Sequence, residues 1–282
     1  MMNMIKADLY RIVRSFGLYI GIAIMFLMIA MSIYLVQPGS ISMGTVGDTS
    51  TTDFDDTAAD DLTAGALENM SMSDLRELML KSEGYELDRD ILGHNMNLYY
   101  VFIFVAALAV TVDFSTGSIK NTLSSAISRR RYFISKLALI TLGCLLLFFL
   151  NTYAAYFSNL IFNGSKVASS LWTVTKISLL QLPPILALTS ILAGLAFTLK
   201  KSSIFNVVAI PLVLVFQLLF NLAVRLFNIP QKYVSYELQI MLGRLAGDPS
   251  AGYVRNCYLL CAGVIAVFTL LGYVSFRRAE IK

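Results

Sequence analysis

Few side chains in this sequence are suited to covalent or acid–base chemistry, and those few are poorly placed for it. The three cysteines are Cys144, Cys257 and Cys261. Cys257 and Cys261 stand four residues apart and share a helix face, but no histidine or acid joins them. They read as small apolar packing residues, and no metal site is expected. The one histidine, His94, falls in a polar stretch and reads as a solvated interface residue. No paired carboxylates and no Ser–His or Cys–His pair can form within the apolar runs, so no catalytic residue is expected and the chain is not read as an enzyme. There is no G-x-x-x-x-G-K-[ST], the glycine-rich loop that cradles nucleotide phosphates. Neither a cofactor held by this chain nor a nucleic-acid partner is expected.

What remains is one concentrated polar segment, DFSTGSIKNTLSSAISRRRYFISK, running from Asp113 to Lys136. It carries five cations and one acid, Asp113, between two apolar runs. Chemistry of this kind is docking, not catalysis. The triplet Arg129, Arg130 and Arg131 has two readings: anchoring to anionic lipid, or ion pairs with a protein partner. Uncharged polar stripes lie inside the apolar runs. Thr152, Tyr156 and Asn159 follow i, i+4, i+7 spacing, and Gln217 shares a face with Asn221. These read either as interhelical packing and hydrogen bonding or as the lining of a substrate path. Ser190, Gly194 and Thr198, and separately Gly17 and Gly21, are small residues four apart, the spacing that lets helix backbones approach closely.

The elements that must position these residues are membrane-spanning helices. The chain has 282 residues, 57% hydrophobic and 14% charged, against about 25% charged in an average soluble domain. Its mean hydropathy is +0.69. Apolar runs of bilayer-crossing length separate the charges. They are continuous, so a transmembrane barrel of alternating short segments is not indicated. Six spans are predicted: Phe16–Val36, Asn97–Val112, Leu137–Phe162, Lys176–Leu199, Ile204–Val224 and Arg255–Phe276. The expected fold is an all-α polytopic membrane protein, a single transmembrane domain over residues 1–282. The opening MMNMIKADLYRIVRS is amphipathic and precedes a run too long for a signal peptide, so it reads as an interfacial helix.

Lysine and arginine counts set the orientation. Alternate ends of the six runs hold 13 of the 22 cations, including Lys6, Arg11, Arg14, Lys200, Lys201, Arg277 and Arg278. The positive-inside rule then places both termini and the 113–136 segment in the cytoplasm. The long loop over 37–95 becomes extracellular and holds 13 of the 18 acids. Its first half has a disordered composition, and SDLRELMLKSEG predicts a short capped helix. In the 225–254 loop, Val234, Leu238, Met241, Leu242 and Leu245 form one stripe ending at Gly247, which predicts an amphipathic helix that either lies at the outer interface or dips in beside the bundle. The spans lack mid-membrane ionisable groups, which argues against a proton- or sodium-coupled carrier.

The ordered series Asp113, Gly117-Ser118-Ile119-Lys120, Ser128-Arg129, Tyr132 and Lys136 resembles the connector after the second span in permease subunits of the type-2 ATP-binding-cassette family. The start IKADLYRIVRS and the end FRRAEIK are similar to that family too. Asp113 stands where glutamate is more usual, and Arg130 and Arg131 extend the basic run. The resemblance implies six spans with both ends inside, and a second permease copy or paralogue. It also implies a separate P-loop ATPase in two copies that carries the ATP and Mg²⁺. Thr116–Ser125 would form a coupling helix docked on that ATPase, with Asp113, Gly117, Lys120, Arg129, Arg130, Arg131 and Lys136 as coupling residues.

The cargo is less legible. Families of this kind export drugs, lipids, polysaccharides or peptides. The acidic 37–95 loop either concentrates cationic peptides or is merely soluble chain. The expectation is an exporter of a peptide or amphipathic compound. The alternatives are a membrane sensor that reads a ligand on the acidic loop and a structural scaffold.

Overall fold

The computed structural model describes residues 2–36, 92, 97–120, 127–163, 170–227, 230–247 and 249–279. Among the described residues every regular element is helical, and no strand occurs. The elements are α1 (Met2–Val13), α2 (Phe16–Val36), α3 (Asn97–Ala106), a π turn (Ala107–Thr111), α4 (Val112–Ser115), α5 (Arg129–Asn163), α6 (Leu171–Leu199), α7 (Ser202–Leu226), a 3₁₀ turn (Gln231–Tyr236), α8 (Leu238–Ala246) and α9 (Ala251–Arg278). The acidic 37–95 loop and its predicted helix lie outside the described residues, apart from Leu92.

Each of the six apolar runs is helical. By length and apolarity four stretches are able to cross a membrane: Leu98–Ser115, Arg129–Ile161, Leu171–Leu199 and Ala251–Arg278. The pair α1–α2 makes a fifth if taken as one bent span, since Ala7–Val13 and Phe16–Met31 meet at 56°. At that bend Ser15 donates from both its amide (3.0 Å) and its hydroxyl (2.7 Å) to the Ile12 carbonyl, closing the end of α1. The described apolar part of α7, Ser202–Val213, is shorter than a crossing.

The third apolar helix starts earlier than predicted, at Arg129 instead of Leu137. The reason is periodicity. Tyr132, Phe133, Lys136, Leu139 and Ile140 are all buried, the i, i+4 and i+7 rhythm of one helix face. The arginines ahead of them hide that face from a hydropathy window.

Helix α6 is central and packs against α3, α5, α7, α8 and α9. Ser170 caps its start by accepting from the Thr173 amide at 3.1 Å. Inside it, Pro183 and Pro184 supply no amide hydrogens, so the carbonyls of Leu179 and Leu180 lose their i+4 donors. Tyr258 on α9 donates its hydroxyl to Leu180 O at 3.3 Å, replacing one of them.

The most extensive helix pair is α6 with α9. Its axis contact is Gly194 against Gly272. A Cβ added to Gly194 would lie 2.8 Å from the Phe268 carbonyl oxygen, and one added to Gly272 would lie 3.1 Å from Gly194 Cα. No side chain fits between these backbones. Helix α6 ends in a tight turn at Lys200 (φ 60°), with Lys201 N–H on Leu199 O at 2.6 Å. Only Lys200 and Lys201 therefore separate α6 from α7.

Candidate functional site

The polar residues converge at the end of the bundle where α1, α4, α5 and α9 meet. Asp113 is the hub. The π turn sets its direction: it holds one residue more than an α-helical turn, so everything after it is rotated by about 100° relative to an unbroken helix. Within this turn Val112 N–H reaches Ala107 O. The Thr111 hydroxyl also donates to Ala107 O at 2.8 Å, and Leu108 O accepts from Arg11 Nη2 at 3.1 Å.

Thus aimed, the Asp113 carboxylate gathers three elements. Oδ1 pairs with Arg11 Nη1 of α1 and accepts from the Ser118 hydroxyl at 3.3 Å. Oδ2 accepts from the Tyr132 hydroxyl at 2.7 Å and pairs with Lys136 Nζ at 2.5 Å, both on α5. Lys136 also reaches back to α1, with Nζ 2.7 Å from Asp8 Oδ2. Asp8 and Arg11 form an i, i+3 pair at 3.4 Å. Two cations and two carboxylates balance to zero formal charge. The Lys136 side chain is 1% exposed and that of Asp113 6%, whereas Arg11 is 38% exposed. The lysine and the aspartate are therefore interior groups, and Arg11 is their link to solvent.

An aromatic layer lies beside this network. Phe276 of α9 stacks on Tyr132 (5.5 Å between centroids) and meets Phe114 edge-on at 6.1 Å and Phe197 at 5.5 Å. Phe133 contacts Phe197 at 4.6 Å and Tyr273 at 5.4 Å. The rings shield the ion pairs from water, which strengthens each charged contact and raises the cost of stranding either partner.

Six of the seven predicted coupling residues divide into three groups, and Gly117 stands apart. Asp113 and Lys136 are buried in the network and present no surface to a partner. Arg129 donates through Nη1 to the carbonyls of Arg277 (2.7 Å) and Ala279 (3.0 Å), closing the end of α9. Lys120, Arg130 and Arg131 are exposed. The coupling helix does not begin at Thr116 as expected. Thr116 caps α4 and Gly117 adopts φ 69°, a left-handed conformation that breaks the helix; helical backbone resumes at Ser118. Residues 121–126 lie outside the described ones.

The polar stripes are mostly interior. Thr152 and Asn159 are fully buried, and Tyr156 packs partly buried beside Val174, Ile177 and Ala246. Gln217 and Asn221 lie on α7, with side chains outside the described residues. The hydroxyls of Ser190 and Thr198 bond back to the carbonyls of Ala187 and Gly194, at 2.7 and 2.8 Å. A Cβ added to Gly21 would lie 3.5 Å from Val101 Cγ1, an ordinary contact distance, whereas one added to Gly17 would meet open space.

Sequence reasoning missed two groups. Asp8 and Arg11 lie on a helix read for its amphipathicity, its cations and its likeness to the family, but not as a pair; their i, i+3 spacing was the available signal. Gln181 is the other. At the opposite end of the bundle its buried Nε2 donates to Leu92 O (3.0 Å) and Leu242 O (2.9 Å), tying α6 to α8 and to the segment before α3. A lone amide just before a Pro-Pro pair was its only sequence mark. The predicted amphipathic helix there is α8, with Met241, Leu242 and Leu245 buried; Val234 falls on the preceding 3₁₀ turn.

Comparison with known proteins matches residues 62–277 to the family described as the multidrug efflux system permease Rv1217c, C-terminal domain. No curated protein and no solved structure matches. The family match takes in α3 to α9 and with them the Asp113 hub, Tyr132 and Lys136, leaving α1 and α2 outside it. The chain therefore belongs to the family of the multidrug efflux system permease Rv1217c C-terminal domain, and is an integral membrane permease of a transporter.

Proposed function

We propose that the chain is the membrane subunit of an ATP-driven exporter of peptides or amphipathic compounds. Six helices cross the bilayer with both ends in the cytoplasm. A separate P-loop ATPase in two copies supplies the energy, and a second permease completes the pathway. One observation carries the reading. A single buried carboxylate, Asp113, ties the amphipathic α1, the start of the 118–136 connector and the first turns of α5. A push on the exposed side of that connector, at Lys120 or Arg131, is therefore delivered to α1 and α5 together. The interior carries no comparable charged relay among the described residues of its middle. Work must then enter from one end, which favours an external motor over an ion gradient.

Affinity purification of the tagged chain from its native membrane tests this. A P-loop ATPase should be retained in stoichiometric amount, and a Lys120→Glu, Arg131→Glu pair should release it without lowering the thermal midpoint. Recovery of no ATPase, together with transport that collapses when the ion gradient is dissipated, would overturn the reading.

A further inference from the structure

Between the first turns of α5 and the last part of α9, the surface opens into a groove of about 590 Å³. Its lining is chemically lopsided. Arg130 is its one charged residue. Ile134 and Leu270 form exposed apolar walls, 43% and 63% accessible, and Tyr273 is half-buried. The floor is Phe133, buried at 4% and held by its ring contacts to Phe197 and Tyr273. The groove is therefore preformed, because its floor belongs to the packed aromatic layer. From Tyr273 to Ala266 it runs about 10 Å along the axis of α9, at about 1.5 Å per residue. Both flanking helices are long and apolar enough to cross a membrane.

Arg130 has no carboxylate partner among the described residues, whereas its neighbour Arg129 is spent on the carbonyls of Arg277 and Ala279. An unpaired guanidinium at the mouth of a hydrocarbon-lined slot selects an amphiphile with an anionic head. A free phosphate would leave the apolar walls unused, and an apolar helix from another subunit would leave the arginine unpaired. The geometry points to a bound anionic phospholipid, its head on Arg130 and one acyl chain laid along α9 towards Ala266. This goes beyond the transport reading and rests only on these helices crossing a bilayer.

Native mass spectrometry of the purified full chain is the test, with phosphatidylglycerol and phosphatidylcholine of identical acyl chains as probes. Phosphatidylglycerol should be retained in preference to phosphatidylcholine. Arg130→Gln should weaken retention about fivefold and Arg130→Glu further, from the ~1 kcal/mol that one cation contributes near an anionic lipid. Ala266→Trp should weaken it without touching charge; Ala266 is exposed, so the fold has room for the ring. Arg131→Glu, outside the groove, should change little. The proposal fails if Arg131→Glu costs as much as Arg130→Glu, which means diffuse charge. It fails equally if inorganic phosphate displaces the lipid, if Ala266→Trp binds as the parent does, or if a Leu270→Cys variant cross-links between copies in lipid. Loss of ATPase retention would leave all of these outcomes unchanged, so the two readings fail separately.

Discussion

Replacing Lys136 with methionine removes one cation from the buried network and keeps most of its volume. Asp113 and Asp8 are then left with only the half-exposed Arg11 as countercharge. Removing one partner of a buried ion pair costs about 3–5 kcal/mol. A ceiling applies, because a stranded carboxylate can take a proton. From an ordinary value near 4, that escape costs about 4 kcal/mol at pH 7. We therefore expect a loss of about 3–4 kcal/mol. The double variant Asp113→Asn, Lys136→Met leaves the Asp8–Arg11 pair neutral and should recover most of that loss, whereas independent sites would add. Arg11→Met should cost only about 1 kcal/mol, since water already screens much of that side chain. The readout is built into the protein: Cys144, Cys257 and Cys261 are free and buried, so a thiol-reactive dye fluoresces only on unfolding. Lys136→Met should lower the midpoint by several degrees, on the order of 10 °C at most. A single variant within 1 °C of the parent, or a double variant no better than the single, would refute the reasoning.

Three further outcomes follow from other contacts. Gly194→Ala places a Cβ 2.8 Å from a backbone oxygen that cannot swing aside; it should cost about 1–3 kcal/mol in the same thiol assay, and Gly17→Ala, in open space, should cost far less. Gln181→Leu removes the two amide donations to Leu92 O and Leu242 O, at about 1 kcal/mol each, and should lower the midpoint in the same thiol assay. Burial raises the Glu237 carboxyl above its ordinary 4.5, partly opposed by the Ile240 and Gln239 amides that it caps. Its folded form favours the proton, so its contribution to stability is full below 4.5 and fades as pH rises through the higher folded value. Glu237→Gln should flatten that slope and keep the cap, whereas Glu237→Ala should flatten it and lose about 1 kcal/mol; an unchanged pH profile in the glutamine variant would remove the argument.

The helices were legible because continuous apolar runs leave little choice of structure, and all six expected runs are helical. The errors fall where local pattern and tertiary need diverge. ALAVT, residues 107–111, carries no hydropathy mark of a π turn; its extra residue is fixed by the contacts of Asp113 and by the Arg11 bond to Leu108 O. Lys136 reads as a loop cation, since three arginines precede it, but its burial follows from the i, i+4 step from Tyr132. The Asp113 hub joins residues more than 100 positions apart, as in the Arg11 pair, and no window reads that distance. Gly194 was found by spacing alone, yet its true partner, Gly272, lies off the four-residue repeats of its own run, Cys257 with Cys261 and Ala262 with Ala266, and has phenylalanine four residues to either side.

Where Gly194 meets Gly272, main chain rests on main chain. Such a joint has no rotamers with which to absorb a shift; the next register along α6 would drive Thr198 or Ser190 into the ribs of α9. Whatever rocking accompanies the passage of a cargo, these two rods must travel as one strut, and the sliding seams must lie along their outer flanks.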